Sequence, residues 1–263
     1  MKTAIFISVR MKSTRLPRKA LLEIKGKPAV EHLIDRLKLA KLPNSIVLCT
    51  SINPQDEVLV DLAKKNGIEY FQGSENDVLY RYVKAAEKFG VDFIIVALGD
   101  AIFIDPDYVD KTIELFKKTD ADFIKIPELP VGAFTYGLKV EAVKKVCEMK
   151  DESDTEVWGG YFMEPGIFNV QDLKVEDEEL RHPEVRLVID YPEDFELIKK
   201  IYDRLYREGK IISLKEVMKL LKDHPELLEI NRKAQEMYEE NIEKAPKPKF
   251  KENFRNKNNK KTI

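Results

Sequence analysis

Residues 3–19 read TAIFISVRMKSTRLPRK, an apolar run that passes directly into a basic loop. The run Thr3–Val9 is rich in β-branched and aromatic side chains and has the length of one buried strand. The loop holds five cations within ten residues: Arg10, Lys12, Arg15, Arg18 and Lys19. Because like charges crowded at the end of a strand repel one another, this stretch predicts a first strand followed by an anion-binding loop.

The same alternation of strand and helix patterns continues along the chain. Four more apolar runs predict strands, at Ser45–Thr50, Ile68–Phe71, Val91–Leu98 and Asp122–Pro127. Amphipathic segments between the runs predict helices, at Pro28–Leu39, Pro54–Asn66, Asp77–Phe89 and Pro106–Lys117. Apolar strands separated by helices are typical of an α/β fold with a mostly parallel sheet and helices on both faces. A ligand site is then expected beyond the carboxyl ends of the strands.

The second half of the chain has a less regular pattern. It predicts strands at Phe134–Val140 and Val185–Ile189, and helices at Glu141–Met149, Pro192–Arg207, Ser213–Lys222 and His224–Glu240. Since no linker is visible before about Arg207, we expect one α/β domain over residues 1–210. C-terminal helices packed on it would cover 211–243, and a basic, flexible tail would cover 244–263.

Composition restricts the class of protein. The chain has 263 residues, is 43% hydrophobic and carries a formal net charge of -2. No apolar stretch is long enough to cross a bilayer and no signal-peptide cleavage pattern follows Met1, so a cytoplasmic protein without membrane insertion is expected. Cys49 and Cys147 stand in no metal or redox spacing. The tail is basic and the rest acidic, but a solvated extension is favoured over a specific nucleic-acid partner.

The basic loop contains neither the glycine pattern of dinucleotide-binding proteins nor the Walker phosphate loop. Anion binding therefore falls to side chains, which disfavours a nicotinamide dehydrogenase. Guanidinium groups bind phosphate oxygens in pairs, Lys19 adds a mobile point charge, and Ser13 and Thr14 offer donors. A merely solvated basic loop is the less favoured alternative.

Two aspartates complement this loop. Asp100, in GDAIFIDP, and Asp190, in IDYPEDF, each come just past a predicted strand. Carboxylates at strand ends facing a basic loop suit a Mg²⁺ ion held against a polyphosphate. Taken singly, such residues also serve as helix caps or turn residues, and that interpretation is favoured for Asp105 and Asp194.

The segments RMKSTRLPRKALLEIKGKP, CTSINPQDE, GSENDVLYRY, GDAIFIDPD, VIDYPEDFELIKKIY and LLKDHPELLEIN follow one another along the chain. In this order they resemble the cytidylyltransferase superfamily that makes CMP-activated acidic sugars, and most closely its spore coat polysaccharide biosynthesis protein F group. The resemblance implies a mixed-sheet, Rossmann-like fold of the nucleotide-diphospho-sugar transferase type. It also implies transfer of CMP from CTP, with Mg²⁺, to a sugar acid, sugar phosphate or polyol phosphate for polysaccharide biosynthesis, by a homodimer.

The resemblance assigns roles by matching position. The triphosphate of CTP would be held by Arg10, Ser13, Arg15 and Lys19, and the metal by Asp100 and Asp190. The cytidine side, or the wall beneath it, would be lined by Thr50, Ser51, Gly73, Ser74 and Arg81. The catalytic set is then Arg10, Arg15, Lys19 and Asp100.

Two departures from the group's pattern affect the acceptor side. Ala97–Phe103 lacks the Arg and the Pro of the group's Arg-x-Thr-Gly-Asp-Cys-Pro run, and Thr155–Gly159 replaces Arg-Glu-His-Val-Thr. Both departures remove cationic or polar groups. Two alternatives therefore stay open: an acceptor that is less anionic than a typical acidic sugar, and a catalytically degenerate nucleotide-binding subunit. A glycosyltransferase of similar architecture is a further alternative, but its usual Asp-x-Asp pair is not matched by Asp100 and Asp105.

Overall fold

A seven-stranded sheet organises the molecule. The computed structural model describes residues 1–244, 247–252 and 254. The strands of the sheet are β1 (Thr3–Ser8), β4 (Ser45–Ser51), β5 (Glu69–Gly73), β6 (Phe93–Leu98), β7 (Phe123–Lys125), β8 (Tyr136–Lys139) and β9 (Val170–Asp172). Their spatial order is β5-β4-β1-β6-β8-β7-β9, and a separate hairpin is formed by β2 (Glu23–Ile24) and β3 (Lys27–Pro28). Among the described strands of the large sheet, only β8 runs antiparallel to its neighbours, so the predicted mostly parallel, mixed sheet is confirmed.

Helices cover both faces of this sheet. They are α1 (Ala29–Leu37), α2 (Glu57–Lys65), α3 (Val78–Phe89), α4 (Pro106–Thr119), α5 (Val140–Met149), α6 (Gly160–Met163), α7 (Pro192–Leu205), α8 (Leu214–Asp223) and α9 (Arg232–Glu243). Alternate residues of β1 point to opposite faces, as the strand period requires. Ile5 and Ile7 join the hydrophobic cluster that contains α1, α2, α4, α7 and α8, whereas Ala4 and Phe6 join the cluster that contains α3, α5 and α6. The α/β fold class predicted from the pattern is therefore confirmed.

The predicted strand Val185–Ile189 does not join the sheet. Its only ladder contact in the described residues is an isolated parallel bridge between Val131 and Arg186. Val131 N donates to Val185 O at 2.8 Å, and Leu187 N donates to Val131 O at 2.7 Å. The run is apolar because it closes the core beyond the end of the sheet, where Leu187 and Ile189 are fully buried. The short elements β9 and α6 carry too little periodicity to have been predicted.

Part of the predicted flexible tail is docked. Phe250 forms an antiparallel bridge with Lys150, and its ring lies edge-on to Tyr161 with centroids 5.4 Å apart. The structure differs from the predicted flexible tail at residues 247–251, where an aromatic side chain and backbone hydrogen bonds hold this basic segment. Residues 255–263 lie outside the described residues. Among the residues that the structure describes, no helix combines the length and apolar composition needed to cross a bilayer.

Candidate active site

The carboxyl ends of three neighbouring strands lie side by side. Ser8, the last residue of β1, is in register with Cys49 of β4 and with Leu98 of β6. Gly99 allows the segments after β1 and β6 to approach closely, because an added Cβ would lie only 2.5 Å from the Cβ of Val9. The glycine therefore brings Asp100 next to the basic loop that follows β1.

Lys19 lies between two carboxylates. Its Nζ is 2.5 Å from Asp100 Oδ2 and 2.8 Å from Asp190 Oδ1, and Arg15 Nη2 is 2.7 Å from Asp190 Oδ2. The structure thus brings together four of the predicted site residues from three distant parts of the sequence. Lys19 is held in a short 3₁₀ turn that begins after Arg18, whose φ of 57° is left-handed.

In this cluster, neighbouring opposite charges shift the pKa values of Lys19 and Asp190 more than burial does. Burial lowers the pKa of Lys19, but Asp100 and Asp190 raise it by more than burial lowers it, so that the net shift is upward. Burial likewise raises the pKa of Asp190, but the charges and hydrogen bonds of Lys19 and Arg15 bring it below its ordinary value. Both Lys19 and Asp190 are therefore charged at neutral pH.

Asp190 is held by a buried network of ion pairs and hydrogen bonds, and not by the strand that the sequence predicted. Arg186, only 1% exposed at its side chain, pairs with Asp194 through Nε and Nη2 at 2.9 and 3.1 Å. Asp194 Oδ2 in turn accepts from the backbone N–H groups of Asp190 and Tyr191 at 3.1 and 3.0 Å. Asp194 is therefore the capping residue that the sequence predicted, and it also anchors the segment that carries Asp190. Arg186 was not predicted, because its partner Asp194 lies beyond the predicted strand and only the fold brings the two side chains together.

The C-terminal residues cover this network. Asn231 Nδ2 donates to Arg186 O and to Asp194 Oδ1 at 3.1 and 2.9 Å. From α9, the ring of Tyr238 lies over the guanidinium of Arg186, with 4.7 Å from Cζ to the ring centroid. The motif LLKDHPELLEIN thus ends on a residue that contacts the site.

Arg10 points to a different part of the same edge. Its Nη2 is 2.6 Å from Glu156 Oε2 and its Nη1 donates to Glu75 O at 3.2 Å. Lys12 pairs with Glu75 at 3.0 Å, and Ser13 Oγ accepts a weak 3.4 Å bond from Leu16 N. Arg10 and Ser13 therefore share the loop with Lys19 but do not contact the two aspartates.

Asp56 ties the basic loop to the end of β4, and sequence reasoning missed it. This carboxylate is fully buried and accepts from Met11 N at 2.7 Å. It also accepts from Thr50 Oγ1 at 3.0 Å, from Ser51 N at 3.2 Å and from Ser51 Oγ at 2.5 Å. Because the hydroxyls of Thr50 and Ser51 are used by Asp56, these two residues help to hold the loop against the end of β4.

Like the hydroxyls of Thr50 and Ser51, the guanidinium of Arg81 is hydrogen-bonded within the protein. It is buried, its Nη1 donates to Ser74 O at 2.7 Å, and its Nη2 donates to Ser8 Oγ at 3.3 Å. A Cβ on Gly73 would lie 3.0 Å from Arg81 Cγ and closer still to Phe71. Ser74 Oγ accepts from the backbone of the next helix. Gly73, Ser74 and Arg81 thus pack together between the ends of β1 and β5.

In the two segments that depart from the group's pattern, side chains are buried or paired within the protein. Ala101 and Phe103 are buried in the core, where apolar side chains are favoured. Thr155 Oγ1 lies 3.1 Å from Asp77 Oδ1 at the start of α3, and Glu156 pairs with Arg10. Asp105 caps α4 by accepting from Asp107 N at 2.9 Å, as the sequence predicted.

The donor set suits a hard divalent cation bound together with a phosphate. Asp100 Oδ1 is buried and has no hydrogen-bond partner in the described part of the chain, as is expected of a metal-ligand oxygen. Within the described residues there is no group of three or more His, Cys, Asp or Glu side chains that could hold a metal ion. Two carboxylates therefore need further oxygens from phosphate or water, which is the coordination that Mg²⁺ accepts.

The chain is similar to known proteins over most of its length. A family model described as cytidylyltransferase matches residues 4–254. The spore coat polysaccharide biosynthesis protein SpsF of Bacillus subtilis is 30% identical over 228 residues, which cover 84% of this chain and 94% of that protein.

The fold is also similar to that of proteins of known structure. A cytidylyltransferase from Leptospira borgpetersenii superposes with a TM-score of 0.79 at 26% identity, covering 87% of this chain and 97% of that one. The synthetase of CMP:2-keto-3-deoxy-manno-octonic acid, solved with CTP, superposes with a TM-score of 0.60 at 15% identity, covering 78% of this chain and 99% of that one. This second likeness establishes the shared fold.

Proposed function

The chain belongs to the cytidylyltransferase family and is a CTP-dependent cytidylyltransferase, and from this premise we propose that it transfers CMP to a sugar-type acceptor with release of pyrophosphate. The acceptor classes are a sugar acid, a sugar phosphate or a polyol phosphate, as precursors of a polysaccharide. The similarity to SpsF, whose name assigns it to spore coat polysaccharide biosynthesis, supports this choice.

The contact of Lys19 with both Asp100 and Asp190 carries the proposal. This contact supports the proposal because one ammonium and two carboxylates meet at a point beyond the strand ends, where α/β proteins bind nucleotides. Bringing charged side chains from positions 19, 100 and 190 to a partly buried point has a desolvation cost, which a ligand-binding role explains better than stability alone.

The proposed reaction forms one bond and breaks one bond. An acceptor oxygen attacks the α-phosphorus of CTP, the bond from this phosphorus to the bridging oxygen of the β-phosphate breaks, and pyrophosphate leaves. A hydroxyl acceptor releases its proton to water, so no protein nucleophile is needed. Arg10, Ser13, Arg15 and Lys19 bind the triphosphate, and the three cations neutralise the charge that develops on the pyrophosphate.

The remaining roles are support and metal binding. Asp100 and Asp190 would hold Mg²⁺, which supplies neutralisation of phosphate charge and alignment of the reacting groups when bound. Asp194 and Arg186 keep the Asp190 carboxylate in place. Asp56 fixes the loop against the wall formed by Thr50 and Ser51, beside which the cytidine would lie.

Incubation with α-labelled CTP and a panel of sugar acids, sugar phosphates and polyol phosphates tests the proposal. We expect pyrophosphate release that depends on the acceptor, together with a CMP adduct of the acceptor by mass spectrometry. CTP binding without turnover on any acceptor would favour a degenerate subunit, and consumption of a nucleotide sugar would favour a glycosyltransferase. Light scattering on the same preparation tests the homodimer that the family resemblance implies.

A pair of variants in one loop sharpens this test. Lys19→Ala should lower turnover by about a hundredfold or more, because it removes one preorganised cation at the developing anion. Lys12→Ala removes an equal charge from the same loop, but Lys12 pairs with Glu75 and not with the aspartates, so its effect should be much smaller. Equal effects of the two substitutions would contradict the role assigned to Lys19.

A further inference from the structure

Lys19 contacts the same two carboxylates that would hold the metal ion. Because its Nζ lies 2.5 Å from Asp100 and 2.8 Å from Asp190, a single ammonium bridges them. We propose that Lys19 makes metal binding conditional on nucleotide: it holds the carboxylates as an internal cation and exchanges them for phosphate oxygens when the nucleotide enters. This inference rests on the proposed function, since it deepens the role of that same site.

Ammonium and metal compete for one position. A Mg²⁺ ion needs its oxygen ligands at about 2.1 Å in near-octahedral geometry, which leaves no room for an ammonium hydrogen-bonded to the same oxygens. Binding of the metal therefore requires that Lys19 withdraw from at least one carboxylate. In its present contacts the side chain of Lys19 is only 18% exposed, so the loss of a carboxylate partner at this partly buried site is costly without a new anionic partner.

The charge of the cluster leads to the same conclusion. Lys19 and Arg15 balance Asp100 and Asp190, and Arg186 is balanced by Asp194. A divalent cation alone would leave this neutral cluster with an excess positive charge. A triphosphate carries more negative charge than one divalent cation neutralises, so the nucleotide removes this positive excess and gives Lys19 a new anionic partner.

The side chain of Lys19 is suited to such an exchange. A lysine ammonium is a compact charge on a flexible four-carbon stem, and it can move between acceptors without a fixed fork geometry. Its backbone is fixed in the 3₁₀ turn beside the strand ends, so only the side chain needs to move. Arg15 differs, because of the two aspartates it contacts only Asp190, and its side chain is 49% exposed.

Titration with Mn²⁺, followed by electron paramagnetic resonance, measures this coupling directly. For the wild type we expect weak binding of Mn²⁺ alone and binding tighter by on the order of tenfold or more when a non-hydrolysable CTP analogue is present. For Lys19→Gln we expect Mn²⁺ alone to bind on the order of tenfold more tightly than to wild type, with a smaller gain from the nucleotide. The same substitution is expected to abolish most turnover, so affinity and activity move in opposite directions.

Two controls separate this effect from a general change of charge or fold. Lys12→Gln removes one positive charge from the same loop, and its Mn²⁺ affinity should stay within about twofold of wild type because Lys12 does not contact the carboxylates. Lys19→Arg keeps the charge and should keep Mn²⁺ binding weak without nucleotide. Circular dichroism verifies the fold of each variant.

The proposal is overturned if Lys19→Gln binds Mn²⁺ no more tightly than Lys12→Gln does. If the Lys19 variants do not fold, the wild type alone decides, since equal Mn²⁺ affinity with and without the nucleotide analogue would refute the coupling. The titration uses no acceptor and measures no turnover. Failure of the cytidylyl-transfer assay and failure of the metal-nucleotide coupling are therefore observed separately.

Discussion

Asp56 gives the most quantitative test of how the site is built. Its Oδ1 accepts from the Met11 backbone, and its Oδ2 accepts from the Thr50 hydroxyl and from the backbone and hydroxyl of Ser51. In Asp56→Asn, one of the two oxygens becomes an amide donor. Whichever way the amide turns, one backbone N–H, of Met11 or of Ser51, then faces another donor.

The cost of this substitution follows from the unpaired groups. One buried N–H without an acceptor costs about 1–3 kcal/mol, so Asp56→Asn should lose about that amount of unfolding free energy. Asp56→Ala leaves both N–H groups unpaired and should lose roughly 2–6 kcal/mol. Each kcal/mol corresponds to about 2–4 °C in Tm for chains near this size.

Urea unfolding and CTP calorimetry measure the two consequences. Asp61→Asn is the matched control, because Asp61 lies on α2 and is 70% exposed, and it should stay within about 0.5 kcal/mol of wild type. Asp56→Asn should also weaken CTP binding, since the loop loses its anchor at Met11. A stability of Asp56→Asn equal to that of the Asp61→Asn control would refute the hydrogen-bonded arrangement.

Other parts of the site and fold give three further tests. Arg186→Leu should cost about 3–5 kcal/mol of unfolding free energy, because it leaves Asp194 buried without its cation; a loss below about 1 kcal/mol in urea unfolding would contradict the ion pair. The stability difference between wild type and Lys19→Gln should stay constant between about pH 5 and pH 9. The raised pKa of Lys19 keeps its contribution complete below its unfolded pKa of about 10.4, and the lowered pKa of Asp190 keeps its contribution complete above its unfolded pKa of about 3.9. A midpoint near neutral pH in thermal unfolding would show that another group dominates. Phe250→Ala should lose about 1 kcal/mol or more through the lost aromatic contact, and an unchanged Tm would mean that residues 247–251 are not docked in solution.

Local patterns were enough for most of the fold. The strand Thr3–Val9, predicted from its apolar run, is β1 at Thr3–Ser8, and the helix Asp77–Phe89 is α3 with Asp77 as its cap. Such elements are predictable because burial of one face imposes a period on the sequence itself. Val185–Ile189 shows the limit of this reasoning, since its apolar side chains indicated burial correctly but not the partner, which is the Val131 loop and not a sheet strand.

The candidate site divides in the same way. The charges of the loop and the positions of Asp100 and Asp190 at predicted element ends could be read from the sequence. Asp56 could not, because a single aspartate at the start of a helix is typical of a cap, and its donors at Met11, Thr50 and Ser51 become neighbours only in the folded chain.

The sequence by itself determined the α/β pattern, the family motifs and the supply of cations and carboxylates, because each depends on residues close together in the chain. Only the tertiary structure decided that Lys19 meets Asp190, which is 171 positions away, and that Arg186 pairs with Asp194 beneath Tyr238 of α9. The spacing of hydrophobic residues in the sequence indicates which face of a helix or strand is buried. A contact between charged side chains depends instead on distances of a few ångström between them. Those distances are set by the packing of the whole chain.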